Sequence, residues 1–257
     1  MIKQFAVALT VSFLALGASL ACAAEKASEV YELRTYTTNE GKLPALHKRF
    51  SDHTMTIFET HGIKNIAYWT PTDKPNTLVY LVAHKSRAAA RKSWPAFGND
   101  PAWKKAYAAS TEDGRLVSKV ESIYLQPNDY SPVKSGGFKS LADGKNLTYE
   151  LRTYTTNKGK LKNLNARFRD HTLRIFKKHG MLNVFYATPL DEKRSSNTLV
   201  YFIAHKSADA AAASWKAFGG DAEWKKVAKE SQVDGRILTK GGVKRQYLKA
   251  TDYSPVK

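Results

Sequence analysis

Cysteine is almost absent from this chain. Among 257 residues there is one, Cys22, beside three methionines. A lone thiol excludes a disulfide framework and a thiolate metal cluster. Several catalytic signatures are missing as well. There is no G-x-G-x-x-G, no phosphate loop ending in G-K-S or G-K-T, and no G-x-S-x-G. Nucleotide-dependent and serine-hydrolase mechanisms therefore have no foothold. The histidines do not form H-E-x-x-H, so no metal site and no cofactor are expected. Also lacking is any block of five or more like charges, although 41 basic residues against 23 acidic give a net charge of +18. The basic residues are scattered along segments such as KRFSDH and RFRDH. They read as solvated helix faces, and nucleic acid is not an expected partner.

Residues 1–24 are a region apart. A short basic start, Met1-Ile-Lys-Gln, precedes the apolar run Phe5–Ala21, and Ala21-Cys22-Ala23-Ala24 supplies small residues before Glu25. This is the pattern of a secretory signal peptide cleaved near Ala23 or Ala24, which predicts a periplasmic or secreted protein with no integral membrane segment after cleavage. Cleavage there also removes Cys22. A lipoprotein would instead carry lipid on Cys22, but Ser19-Leu20-Ala21 lacks the leucine that normally stands three places upstream.

What the chain has in abundance is itself. VYELRTYTTNEGKL, starting at Val30, returns as TYELRTYTTNKGKL, starting at Thr148, an offset of 118. NTLVYLVAHKS at 76–86 returns as NTLVYFIAHKS at 197–207, and DYSPVK closes both copies at 129–134 and 252–257. Two domain-sized copies are too few for a solenoid. The reading is one unit at 28–133, a linker rich in Gly and Ser at 134–146, and a second unit at 147–257.

Each unit spells β-α-β-β-α-β. Val30–Thr37 alternates and is rich in strand formers. A helix from about Lys42 carries the stripe Leu43, Leu46, Phe50, Thr54, Ile57 and stops at His61-Gly62. Strands are predicted at Ile63–Thr70, Thr77–His84 and Val117–Leu125, with a helix over Ser86–Ser110 broken near Gly98–Pro101. This is the ferredoxin-like split unit. A four-stranded sheet with helices on one face leaves the other bare, and two such faces can cover each other. The fold class is thus α+β, with two tandem ferredoxin-like units forming a pseudo-dimeric α/β barrel.

YELRTYT, the Gly-Lys before the first helix, the HG that closes it, the NTLVYLVAHKS strand and the S-W-x-x-F-x-x-D-x-x-W helix together resemble the NIPSNAP family. The resemblance covers nearly all of 30–133 and 147–257. It implies a dimeric α/β barrel and a largely undefined biochemical role. Fold relatives of that family include small monooxygenases and haem-degrading enzymes, but fold alone transfers neither activity. One departure stands out: Trp69 of the first copy is Ala187 in the second.

Candidate site residues follow from strand alternation. Glu32, Arg34 and Tyr36 share one face of the first strand, as do Glu150, Arg152 and Tyr154 in the second copy. This face is expected to look into the space between the sheets, with Tyr31 and Leu33 packing under the helices. Tyr80 and His84, and Tyr201 and His205, share a face of the third strand. Glu-Arg pairs two residues apart read either as a polar pocket for an anionic or enol-type ligand or as internal ion pairs that keep the units in register. The functional expectation is an exported binding or structural barrel with a possible small-molecule ligand between the sheets. It would be a monomer with an internal pseudo-dimer, or a homodimer. The alternative is a cofactor-independent monooxygenase or isomerase in which Arg34 steadies an oxyanion and His84 or Tyr80 moves a proton. Haem binding through His84 or His205 is a third and weaker reading.

Overall fold

A computed structural model describes residues 28–136, 138 and 147–256. The predicted signal peptide and most of the predicted linker lie outside these residues. The first unit runs β1 (Val30–Thr38), α1 (Leu43–Arg49), a π-helical turn (Phe50–Thr54), α2 (Met55–Thr60), β2 (Lys64–Pro71), β3 (Thr77–His84), α3 (Arg87–Asn99), α4 (Pro101–Ser110) and β4 (Val117–Pro127). The second repeats it with β5 (Thr148–Thr156), α5 (Leu161–Arg167), a π turn (Phe168–Thr172), α6 (Leu173–Lys178), β6 (Leu182–Pro189), α7 (Glu192–Ser195), β7 (Thr198–His205), α8 (Ala208–Gly220), α9 (Ala222–Glu230) and β8 (Leu238–Ala250). Helix α7 is a short insertion with no counterpart in the first unit.

The local sequence explains these boundaries. Ser86 caps α3, its hydroxyl accepting from the Ala89 amide at 3.0 Å, and Ser207 caps α8 in the same way at 3.1 Å. The break between α3 and α4 is built by Asp100, whose carboxylate accepts from the amides of Ala102 and Trp103 and so starts a new helix at Pro101. Asp221 repeats the device on the Trp224 amide. His61, at the end of α2, reaches Asp100 at 2.8 Å, and His179, at the end of α6, reaches Asp221 at 2.8 Å. The end of one helix is thereby tied to the start of another.

All eight strands close into one barrel in the order β1-β3-β2-β8-β5-β7-β6-β4. A single chain closes it. The two seams between units are short and alike: Trp69, Thr70 and Pro71 pair with Ala250, Lys249 and Leu248, while Leu125, Gln126 and Pro127 pair with Pro189, Thr188 and Ala187. The closing segments then cross over. Beyond β8, the Thr251 amide donates to the Tyr68 carbonyl, and Ser254 Oγ accepts from the Tyr68 amide, at 3.0 Å each. Beyond β4, the Asn128 amide donates to the Tyr186 carbonyl at 2.9 Å, and Ser131 Oγ accepts from the Tyr186 amide at 3.1 Å. Tyr253 bonds His47 at 2.7 Å and Tyr130 donates to Asn165 at 2.8 Å. Each copy of DYSPVK thus straps the other unit.

The two faces of the sheet are the reverse of the expectation. Tyr31, Leu33, Val79, Leu81 and Trp69 lie inside the barrel with Tyr149, Phe185 and Phe202. Tyr36, Leu78, Tyr80 and Val82 pack under the helices with Leu46, Phe50 and Phe58. Both faces are buried, so alternation alone cannot say which is interior. The deciding chemistry is supply of donors. A carboxylate at position 32 can be matched by side chains of β3 and α3 on the helix side, whereas the barrel interior offers rings and aliphatics. Inside, the copies complement each other in volume. Ala67 and Trp69 of β2 correspond to Phe185 and Ala187 of β6, so at each of these two interior positions one unit supplies a large side chain and the other a small one. Trp69 stacks on Phe202 at 5.0 Å and Tyr31 packs on Phe185 at 4.8 Å.

Candidate functional site

Glu32 is the centre of the first unit's polar cluster. It is 1% exposed. Its Oε2 accepts from Trp94 Nε1 of α3 at 2.7 Å and from His84 Nε2 of β3 at 3.0 Å. Its Oε1 accepts from Ser122 Oγ of β4 at 2.6 Å and from Arg34 Nη1 at 2.5 Å. Four donors fill the usual capacity of a carboxylate. Burial alone would raise the Glu32 pKa. The His84 hydrogen bond, the Arg34 charge and the remaining hydrogen bonds outweigh it and bring the pKa down to about 2. An ionised carboxylate only accepts, so His84 Nε2 carries the proton of that bond. Arg34 continues the chain, donating through Nη2 to Tyr36 Oη at 3.2 Å while its guanidinium lies 4.3 Å over Trp94.

The second unit builds the same cluster with one donor fewer. Glu150 accepts from Trp215 at 2.7 Å, His205 at 3.1 Å and Arg152 at 2.5 Å, and Arg152 donates to Tyr154 at 2.9 Å. The strand position opposite Arg152 is Arg245, where Arg34 faces Ser122. Burial would raise the Glu150 pKa, but His205 and Arg152 hold it below the ordinary value.

The structure therefore brings Glu32, Arg34, Tyr36 and His84 together, and likewise Glu150, Arg152, Tyr154 and His205. It places both sets between sheet and helices, outside the barrel interior. Each set is complete within its own unit, so neither joins the two units in register; each pins a helix to its sheet. Tyr80 and Tyr201 lie alongside, fully buried, and burial raises their phenol pKa values well above the ordinary one. Neutral, buried phenols are poor proton carriers. Both histidines are also fully buried, with Nε2 committed to carboxylate, so neither offers that nitrogen to a haem iron. Among the described residues, no group of three or more His, Asp or Glu side chains converges on a point that a metal could occupy.

A different group faces open space. A crevice of about 170 Å³ lies between α1, the π turn, α4 and the start of β4. Arg49 lines it, with Tyr36, Phe50, Trp103, Tyr107 and, at the rim, Arg115. Arg49 is 5% exposed. Its Nη1 donates to Ser110 at 3.1 Å, its Nε has no hydrogen-bond partner, and its guanidinium lies 5.1 Å from the Trp103 ring and 5.3 Å from Tyr107. Burial pulls its pKa down, only partly offset by the neighbouring Tyr36, Tyr107 and Tyr80. The π turn begins at the next residue, and the Thr54 hydroxyl caps the freed Arg49 carbonyl at 3.0 Å. Such π turns are frequent at functional sites. Sequence reasoning did not single out Arg49. The available signal was an arginine repeated at 49 and 167, inside the apolar stripe between Leu46 and Phe50 and between Leu164 and Phe168.

The NIPSNAP family model matches residues 31–132 and 149–255. This chain belongs to the NIPSNAP family. Both of its NIPSNAP repeats fall within the barrel described above. A NIPSNAP-family protein of unknown function from Agrobacterium tumefaciens is 25% identical over 42% of this chain and 95% of its own, with a TM-score of 0.37. Two provisionally assigned monooxygenases span both NIPSNAP units. One, from Fusobacterium nucleatum, is 12% identical with a TM-score of 0.57 over 88% of this chain and 93% of its own. The other, from Lactobacillus acidophilus, is 10% identical with a TM-score of 0.53 over 88% and 98%. At such identities the likeness is one of fold alone. No curated protein matches the chain.

Proposed function

We propose that this NIPSNAP protein is an exported binding protein, with the barrel as scaffold and a small ligand held in the first unit's crevice between helices and sheet. One observation carries this reading: Arg49 is a buried cation lining an open crevice, and its guanidinium has no carboxylate partner among the described residues. A buried charge without a counter-ion is costly, and a bound anion would offset that cost. The earlier expectation of a ligand between the sheets gives way to this site, because tightly packed rings would have to move to admit one there. An enzymatic role has less support. Arg34 and Glu32 satisfy each other, His84 is enclosed, and the monooxygenase assignments belong to neighbours similar only in fold. The signal-like residues 1–24 support export to the periplasm.

Native mass spectrometry of the chain purified from its host's periplasm tests the reading. The expected species starts at Ala24 or Glu25 and carries a small adduct that is lost on denaturation. The adduct should be depleted in Tyr107→Ala. An adduct unaffected by that change, or a chain retaining residues 1–24, would count against the proposal.

A further inference from the structure

The two units share a scaffold but not a crevice wall, and the differences say what the first one binds. In both, an arginine precedes a π turn, donates to a serine and lies beside a tryptophan: Arg49, Ser110 and Trp103 in the first, Arg167, Ser231 and Trp224 in the second. Beyond that they diverge. Tyr107 is replaced by Ala228 and Ala106 by Val227, which removes an aromatic wall and fills space behind it. Ala109 is replaced by Glu230, and Arg167 shares its own crevice with Glu230 and Asp170. The second unit thus adds carboxylates to its crevice wall, although neither forms an ion pair with Arg167 among the described residues. The first lines its crevice with two arginines and no acidic side chain.

The walls define the ligand further. Phe50, Phe58, Phe97, Trp103 and Tyr107 offer ring faces and edges, which suit a flat ring. The volume of about 170 Å³ falls below the range of roughly 300 Å³ and more that holds drug-sized ligands, so one ring fits and a fused polycycle does not. A guanidinium presents a planar fork that matches a carboxylate in two hydrogen bonds.

We propose that the first unit binds a single-ring aromatic carboxylate, with Arg49 as its counter-ion and Trp103 and Tyr107 as its walls, and that the second unit binds none. This rests on the reading above that the first unit's crevice is the ligand site. In the complex the carboxylate meets Arg49 in the depth of the crevice, and Arg115 at the rim attracts it from solvent.

Calorimetric titration of the full chain with benzoate, and separately with the neutral isostere benzamide, provides the test. One equivalent of benzoate should bind, at least tenfold more tightly than benzamide. Arg49→Gln should weaken benzoate tenfold or more, and Arg167→Gln should leave it unchanged. Arg49 is buried, so Tyr107→Ala supplies a second variant at a position 43% exposed, where folding is not at risk; it too should weaken benzoate several-fold. Benzamide binding as tightly as benzoate, with Tyr107→Ala still weakening both, would keep the crevice as a ligand site but overturn the anion. Two equivalents would overturn the distinction between units. No binding at millimolar benzoate would overturn the ligand class. Binding indifferent to both first-unit variants would sink this inference together with the proposed site.

Discussion

At the scale of single residues, the Glu32 cluster makes two predictions. Arg34→Ala removes one partner of a buried ion pair and leaves the carboxylate with three donors. A loss of about 3 kcal/mol is expected in urea unfolding, and an unchanged midpoint would refute the structural role. The second prediction concerns acid. Glu32 has its pKa depressed from 4.5 to about 2, so the unfolded chain takes up the proton first as pH falls. The stability it contributes is whole above about pH 4.5 and is lost progressively towards pH 2, on the order of 3 kcal/mol in all. Unfolding free energies measured at steps from pH 6 to 2 should show this slope, and Glu32→Gln should flatten it. A slope unaltered by that variant would assign acid sensitivity elsewhere, for instance to Asp221, whose pKa is lowered by Lys178, the Trp224 amide and His179.

At the scale of elements, strands and helices were legible because their signals are local. TLVYLVAH announced a strand, and the break at Gly98–Pro101 announced two helices. Which face of β1 meets the helices was not legible, since Tyr31-Leu33 and Glu32-Arg34 are both buried and period-two alternation treats them alike. Glu32, Arg34 and His84 were among the candidate residues named from alternation, but Trp94 and Ser122, which complete the cluster, come from a helix and a strand distant in sequence. DYSPVK was recognised as a repeat end without its purpose, because a strap is defined only by what it crosses. Its function is now testable. Ser254→Ala removes the acceptor for the Tyr68 amide and should cost about 1 kcal/mol. Hydrogen exchange should rise in β2 of the first unit, leaving β6 protected. A rise confined to β6, or spread evenly, would contradict the crossed arrangement.

At the scale of the whole molecule, duplication has separated two tasks. Closure of the barrel needs both units and is nearly symmetric, down to the matched three-residue seams. Binding, in the reading proposed here, needs only one unit, and that is where the copies differ: Tyr107 against Ala228, Ala109 against Glu230. The same division appears inside the barrel, where Trp69 and Phe185 are set against alanines in opposite units and one shared interior is filled by unequal halves. A symmetric homodimer could not carry a tryptophan at this position in one unit and an alanine in the other. Tandem fusion permits it.

The crossed straps also impose an order in time. The segment that locks β2 of the first unit is residues 251–256, which follow β8 and so are synthesised after every strand of the barrel. The segment that locks β6 of the second, residues 128–131, exists before β6 does. The first unit is therefore made first and finished only after its partner. It waits through the synthesis of its whole partner with one strand edge uncovered, and a chain that stops short of Thr251 leaves that edge open for good.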